Sequence, residues 1–130
     1  MQWYVDTSVV LHATLPWGDS RAAAWLDRVR AEGDAVFSSA LLELELVRAL
    51  RRERLDPSLA QPVVRRINLV SIDDGVLRFA AAIEPHIKSL DAIHLATCAL
   101  LGTGVSLATH DANMAIVARS LGLDAFDPLA

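Results

Sequence analysis

A chain of 130 residues allows one domain with a core of its own and leaves no room for two of ordinary size. A hydrophobic content of 53% and a mean hydropathy of +0.34 exclude disorder, and aromatic residues at only 5% leave the interior to aliphatic side chains. The single cysteine, Cys98, excludes an internal disulfide and a Cys-based zinc site, while a net charge of −4 gives no sign of a generally basic nucleic-acid binder.

In chain order the pattern alternates strand and helix. Gln2 to Asp6 is a first strand, and a short helix runs from Ser8 toward Leu15. Pro16-Trp17-Gly18 makes a turn, Asp19 or Ser20 caps a helix to about Glu32, and Gly33-Asp34 ends it. Ala35 to Ser38 is a second strand, with Ser39 capping a helix from Ala40 to about Arg54. Asp56-Pro57 opens another helical stretch that Pro62 kinks or restarts. Val70 to Ile72 is a short third strand, Asp74 to Ile83 is helical, Pro85 interrupts, and Ser89 caps a helix to Leu101. Val105 to Thr109 is a fourth strand, Ala112 to Leu121 a last helix, and Ala125-Phe126 an edge strand. This alternation predicts a single α/β domain over residues 1–130, a short parallel sheet between two helical layers. Its longest apolar tract, Ala92 to Thr109, is interrupted by His94 and Gly102-Thr103-Gly104, which argues against a membrane span. With no recognisable signal peptide, a cytoplasmic location is expected.

Four acids stand out: Asp6, Glu45, Asp91 and Asp111. Asp6 ends the run Trp3-Tyr4-Val5, and Asp111 follows Val105 to Thr109 with only His110 between. In a parallel sheet these strand ends open on the edge where α/β sheets receive ligands. Clustered carboxylates repel one another, and hard divalent cations with oxygen ligands relieve the repulsion, so Mg²⁺ or Mn²⁺ is the expected cofactor. The four account for the whole excess of sixteen acidic over twelve basic residues, so the remaining surface is balanced. Each has a simpler alternative. Asp6 and Asp111 are also placed to cap the helices that follow them, and Asp91 sits in a helix's first turn, where acids are favoured anyway. Helical periodicity does not choose between Glu45 and its neighbour Glu43.

The segments YVDTSVVL, SSALLELELVRAL, SLDAIHLATCALL and VSLATHDANM, in that order over nearly the whole chain, resemble the four acidic motifs of PIN-domain ribonucleases. The resemblance is greatest to the VapC-type toxins of bacterial toxin–antitoxin pairs. It implies a three-layer α/β/α PIN-like fold and selects Glu45, ahead of Leu46-Val47-Arg48, over Glu43. With Asp6, Asp91 and Asp111 it would serve as metal ligand and catalytic acid, and Thr7, Ser8, Thr109 and Asn113 would stand behind these or on the substrate side. Metal-dependent cleavage of RNA, a small cognate antitoxin and a homodimer follow as expectations. The chemistry is self-consistent: carboxylate-held divalent ions acidify a water and steady the leaving oxygen during attack on a phosphodiester.

Other residues are open to two readings. Arg48, Arg51 and Arg52 share one helix face, as an RNA phosphate track or as a solvated face in ion pairs with Glu45 or Glu53. His94, one turn after Asp91, reads as a helix histidine with a structural partner, and Cys98 as a small core residue. His12, His86 and His110 show no zinc-ligand spacing. Trp17, in the Pro-Trp-Gly turn, is open to stacking on a base or packing against a partner, with folding back onto its own domain as the default, and Trp25, Leu26 and Val29 form a helix face for core or protein contacts. Among other classes, a haloacid-dehalogenase-type hydrolase wants an acid where Ser8 stands. A receiver-type signalling domain would need Asp73 to end its third strand and a lysine far beyond Lys88. A catalytically weak PIN-like component that only binds an antitoxin is the remaining alternative.

Overall fold

The computed structural model describes all residues, 1–130. Five strands form one wholly parallel sheet: β1 (Gln2–Val5), β2 (Ala35–Ser39), β3 (Asn68–Val70), β4 (Val105–Ala108) and β5 (Ala125–Phe126), in the order β3-β2-β1-β4-β5. Seven helices join them: α1 (Thr7–Thr14), α2 (Ser20–Ala31), α3 (Leu41–Arg52), α4 (Gln61–Val64), α5 (Asp74–Ala82), α6 (Ser89–Leu101) and α7 (Ala112–Ser120). None is long and apolar enough to cross a membrane.

The two-residue side-chain period of the strands divides the interior in two. Trp3, Val5, Val36 and Ala108 face a core completed by α1 to α4, where Trp3 meets the edge of Trp25 at 5.2 Å. Tyr4, Val105 and Leu107 face a second core with Leu95 and Cys98 of α6 and Met114, Val117 and Ala118 of α7. The result is the expected three-layer α/β/α arrangement.

The chain winds outward from β1 through β2 to β3, then returns to β4 on the other side of β1. The strand order therefore reverses between β1 and β4. Crevices at such a reversal, at the carboxyl ends of the strands, are where open α/β sheets place ligands. The same order differs from the 2-1-3-4-5 arrangement of receiver domains. Asp73 ends no strand; its Oδ1 caps α5 by accepting from the Val76 amide at 2.9 Å. The receiver alternative is thereby removed.

Three local expectations need correction. The third strand lies two residues earlier than Val70 to Ile72. It is an edge strand whose Asn68 and Leu69 are exposed, so an apolar run is a poor guide to it. Asn68 is fixed instead by its side-chain amide, which donates to the Val36 carbonyl at 3.1 Å. Ser89 does not cap α6 but begins it, and the residue ahead is Lys88, whose side chain has no acceptor to offer. Trp17 does not fold onto the domain: it is 61% exposed at the tip of the α1–α2 turn. Gly18 beside it is required, because a Cβ there would collide with the His12 carbonyl.

Candidate active site

β1 delivers Asp6 to the crevice and buries it to 2% exposure. The residue occupies the N-cap position of α1, yet its side chain makes no cap hydrogen bond. Instead Oδ1 accepts from the Ser8 hydroxyl and Oδ2 from the Thr109 hydroxyl, both at 2.7 Å. Burial pushes the Asp6 carboxyl above its usual range, and the Ser8 and Thr109 hydroxyls oppose that rise. Any capping through the Val9 amide is secondary to these two hydroxyls.

Asp111 does act as a cap. Its Oδ1 accepts from the Met114 amide at 3.0 Å at the start of α7, while its own amide donates to Thr109 Oγ1 at 3.1 Å. Thr109 consequently links Asp6 to Asp111 through one hydroxyl. Asp91, in the first turn of α6, is half-buried. Its carboxyl is raised first by burial and then by the charge of Asp111, with Glu45 adding to the repulsion. These shifts mark Asp91, Asp111 and Glu45 as electrostatic neighbours.

Of the two acids on α3 that periodicity left equal, it is Glu45 that turns toward this cluster. Its Oε1 accepts from the Thr7 hydroxyl at 2.6 Å and lies 2.7 Å from His94 Nε2. Burial alone would raise the Glu45 carboxyl, but the hydrogen bonds from His94 and Thr7 outweigh it and hold the group below its usual value. His94 is 1% exposed and its other nitrogen, Nδ1, is 2.6 Å from Tyr4 Oη. The structural partner expected for His94 is therefore Glu45 itself. Tyr4 carries no motif signal of its own, although a tyrosine in a buried central strand usually finds a partner for its hydroxyl.

The remaining candidates divide. Thr7, Ser8 and Thr109 each hydrogen-bond one of the four acids, whereas Asn113 is exposed and its side chain donates to the His86 carbonyl at 3.3 Å. Arg48 and Arg52 line an open groove of about 380 Å³ that reaches the site at Thr7 and Glu45 and is otherwise apolar, with Leu11 and Leu90. Arg51 is exposed outside it. None of the three arginines is in an ion pair, so the alternative of a Glu45- or Glu53-paired face does not apply. A second cavity of about 140 Å³, near the Asp27–Arg66 ion pair, touches none of the four acids.

A family model described as the PIN domain matches residues 3–120. Two curated relatives from Mycobacterium tuberculosis align over 96% of both chains: ribonuclease VapC46 at 31% identity and ribonuclease VapC35 at 36%. Among solved structures, a toxin–antitoxin complex from Klebsiella pneumoniae superposes with a TM-score of 0.65 at 20% identity, covering 86% of this chain and 88% of that one.

Proposed function

The chain belongs to the PIN-domain family, and from that premise we propose that it is a VapC-type endoribonuclease, dependent on Mg²⁺ or Mn²⁺ and the toxin of a cytoplasmic toxin–antitoxin pair. The observation that carries this reading is that Asp6, Glu45, Asp91 and Asp111 gather at the crevice between β1 and β4 with no lysine or arginine within ion-pair distance of any of them; the one imidazole that near is His94, hydrogen-bonded to Glu45. Uncompensated carboxylates at a ligand crevice are costly and are expected to be offset by something brought in from outside.

The donor set suits a hard divalent ion. All four groups offer oxygen alone, and the carboxyls of Asp6 and Asp91 are both raised by burial, that of Asp91 also by the charge of Asp111. As the side chains stand, no three His, Cys, Asp or Glu groups close on one point. Mg²⁺ does not require that, because it commonly keeps several waters and takes one or two carboxylates directly. Asp6, Glu45, Asp91 and Asp111 are therefore the groups that would hold it, some of them through water. Once bound, such an ion would supply an acidified water and neutralise charge on the scissile phosphate.

The protein's own residues orient the acids. Ser8 and Thr109 fix both oxygens of Asp6, and Thr7 and His94 fix one oxygen of Glu45, leaving Oε2 without a hydrogen-bond partner. Arg48 and Arg52 suit the backbone phosphates of a single-stranded or looped RNA lying in the groove. Arg51, at the helix surface beyond them, would extend that track. A small cognate antitoxin is a partner that the Klebsiella toxin–antitoxin complex supports, and laid across the same groove it would block it. A homodimer is part of the reading too. It is supported by α5, which buries only Val76 and leaves Leu77 48% exposed.

The test is cleavage of pooled cellular RNA by antitoxin-free protein and by Asp6→Ala, with Mg²⁺, Mn²⁺ or EDTA. Discrete metal-dependent products lost in the variant are expected. Folded wild type that cuts nothing under any metal would favour the catalytically weak, antitoxin-binding alternative, and products that persist in the variant would remove Asp6 from the reaction.

A further inference from the structure

A chain of buried hydrogen bonds runs from the backbone of β2 to Glu45. The Ser39 amide donates to Tyr4 Oη at 3.0 Å, Tyr4 Oη lies 2.6 Å from His94 Nδ1, and His94 Nε2 lies 2.7 Å from Glu45 Oε1. Proton directions along it are dictated from both ends. At one end the amide can only donate, so Tyr4 Oη accepts from Ser39 and must send its own proton elsewhere. Tyr4 has no exposed surface, and a buried hydroxyl without an acceptor is costly; the acceptor at hand is His94 Nδ1. At the other end an ionised carboxylate only accepts, so His94 Nε2 must carry the proton it shares with Glu45. Both ends demand the same imidazole: Nδ1 bare, Nε2 protonated.

We propose that Tyr4 and His94 are positioning residues, a relay anchored on the Ser39 amide that locks the His94 tautomer and thereby holds Glu45 Oε1, leaving Oε2 to take a ligand. Thr7 strengthens the lock, since its hydroxyl donates to the same Oε1 at 2.6 Å and sits 3.2 Å from His94 Nε2. With two donors on Oε1, rotation of the Glu45 carboxyl would sacrifice both. A carboxylate held this way meets an incoming cation without first having to be ordered, which is what outer hydrogen-bond partners contribute at metal sites. The relay spans three elements: Tyr4 from β1, His94 from α6 and Glu45 from α3. It therefore also sets the distance of α3 from the sheet edge. This inference rests on the reading of Glu45 as one of the acids that hold the divalent ion.

Two measurements test it. The first is the nitrogen-15 spectrum of His94 in the metal-free protein, wild type and Tyr4→Phe. Wild type is expected to show a single Nε2-protonated tautomer, and Tyr4→Phe a mixture. The second is Mn²⁺ affinity by calorimetry for wild type, His94→Gln and His94→Asn. Gln carries an amide to the position of Nε2 and should stay within a few-fold of wild type, whereas Asn falls short of Glu45 and should lose about 10-fold or more. The failures separate. Wild type with the expected tautomer that binds no Mn²⁺ overturns the metal reading of the acids. A His94 protonated at Nδ1, or His94→Asn binding Mn²⁺ as wild type does, overturns the relay.

Discussion

Thr109 donates its hydroxyl to Asp6 across 103 positions of sequence and accepts the amide of Asp111 in return. One side chain at the end of β4 thus ties together two acids delivered by different elements, at the point where the strand order reverses. Its hydroxyl proton is committed to Asp6, so the Asp111 amide can be accepted only on a lone pair. No residue without both a donor and an acceptor can replace it.

Thr109→Val keeps the shape and removes the hydroxyl. Asp6 then loses one of its two donors while remaining buried, and the Asp111 amide loses its acceptor. The variant is expected to lose about 2 kcal/mol of stability. Urea unfolding at neutral pH checks this, and a loss under about 0.5 kcal/mol, the range of an ordinary surface substitution, would show that the bonds contribute little.

Asp6 and Asp91 work against the fold at neutral pH. Both carboxyls are raised, first by burial, and Asp91 further by Asp111. A raised acid binds its proton more tightly when folded than when unfolded. Its penalty is therefore complete above the folded pKa and relieved as pH falls toward the unfolded value, so stability contributed by these two groups rises on mild acidification. Asp91→Asn removes the charge and should raise Tm by roughly 3 °C at pH 7, about 1 kcal/mol, with the gain shrinking toward pH 4. Saturating Mn²⁺ should raise the Tm of wild type and not add to it equally in the variant. A variant no more stable than wild type in metal-free buffer would count against charge crowding at the crevice.

The layers and the parallel sheet were legible because they follow from alternation and from turn chemistry. Gly33 and Asp34 marked the end of α2, and Ser39 does accept the Leu41 amide at 3.1 Å ahead of α3. The third strand was misplaced because an edge strand needs no apolar run. At the site, residues whose role is local declared themselves: Ser8 is two positions from the acid it serves, and Asp6 ends a strand. What could not be read was partnership between elements. Periodicity placed Glu43 and Glu45 alike, and only the packing of α3 against α1, with the reach of His94 from α6, brings Glu45 to its partners. Asn113 was grouped with the site by the resemblance, and its one side-chain hydrogen bond is to the His86 carbonyl and to none of the acids. Of the two readings open for Trp17, the exposed one is what the turn adopts, at 61% exposure.

Arg48 and Arg52 stand one turn apart beside the groove, without acidic partners. Phosphate contacts release counterions, so each one lost should flatten the salt dependence of binding. In an Asp6→Asn background that does not cut, the double change to alanine should weaken binding of a single-stranded RNA and lower the slope of log affinity against log salt by about 1.4. Fluorescence anisotropy at several salt concentrations decides it. An unchanged slope with weakened binding would mean that the arginines pack against RNA bases or shape the groove without meeting phosphates.

Arg54 is the one residue other than glycine with a left-handed backbone, at φ 58°. It closes α3 in the same way that Gly33 closes α2 and Gly122 closes α7: the next amide reaches back to the helix, here Leu55 to the Leu50 carbonyl at 2.9 Å, while the Arg54 amide meets the Arg51 carbonyl at 3.1 Å. Leu55 packs against the core that contains Leu50, which completes the motif. Gly33 and Gly122 adopt this turn without a Cβ to crowd the backbone, at φ 84° and 81°. Arg54 carries the steric cost of that conformation and, being exposed without an ion pair, gains nothing visible in exchange. Arg54→Gly should therefore stabilise the protein by about 0.5–1 kcal/mol, the left-handed penalty less the extra entropy glycine loses on folding. Thermal unfolding of the two proteins reads the difference. A destabilised variant would mean that the Arg54 side chain makes a contribution larger than the strain it brings.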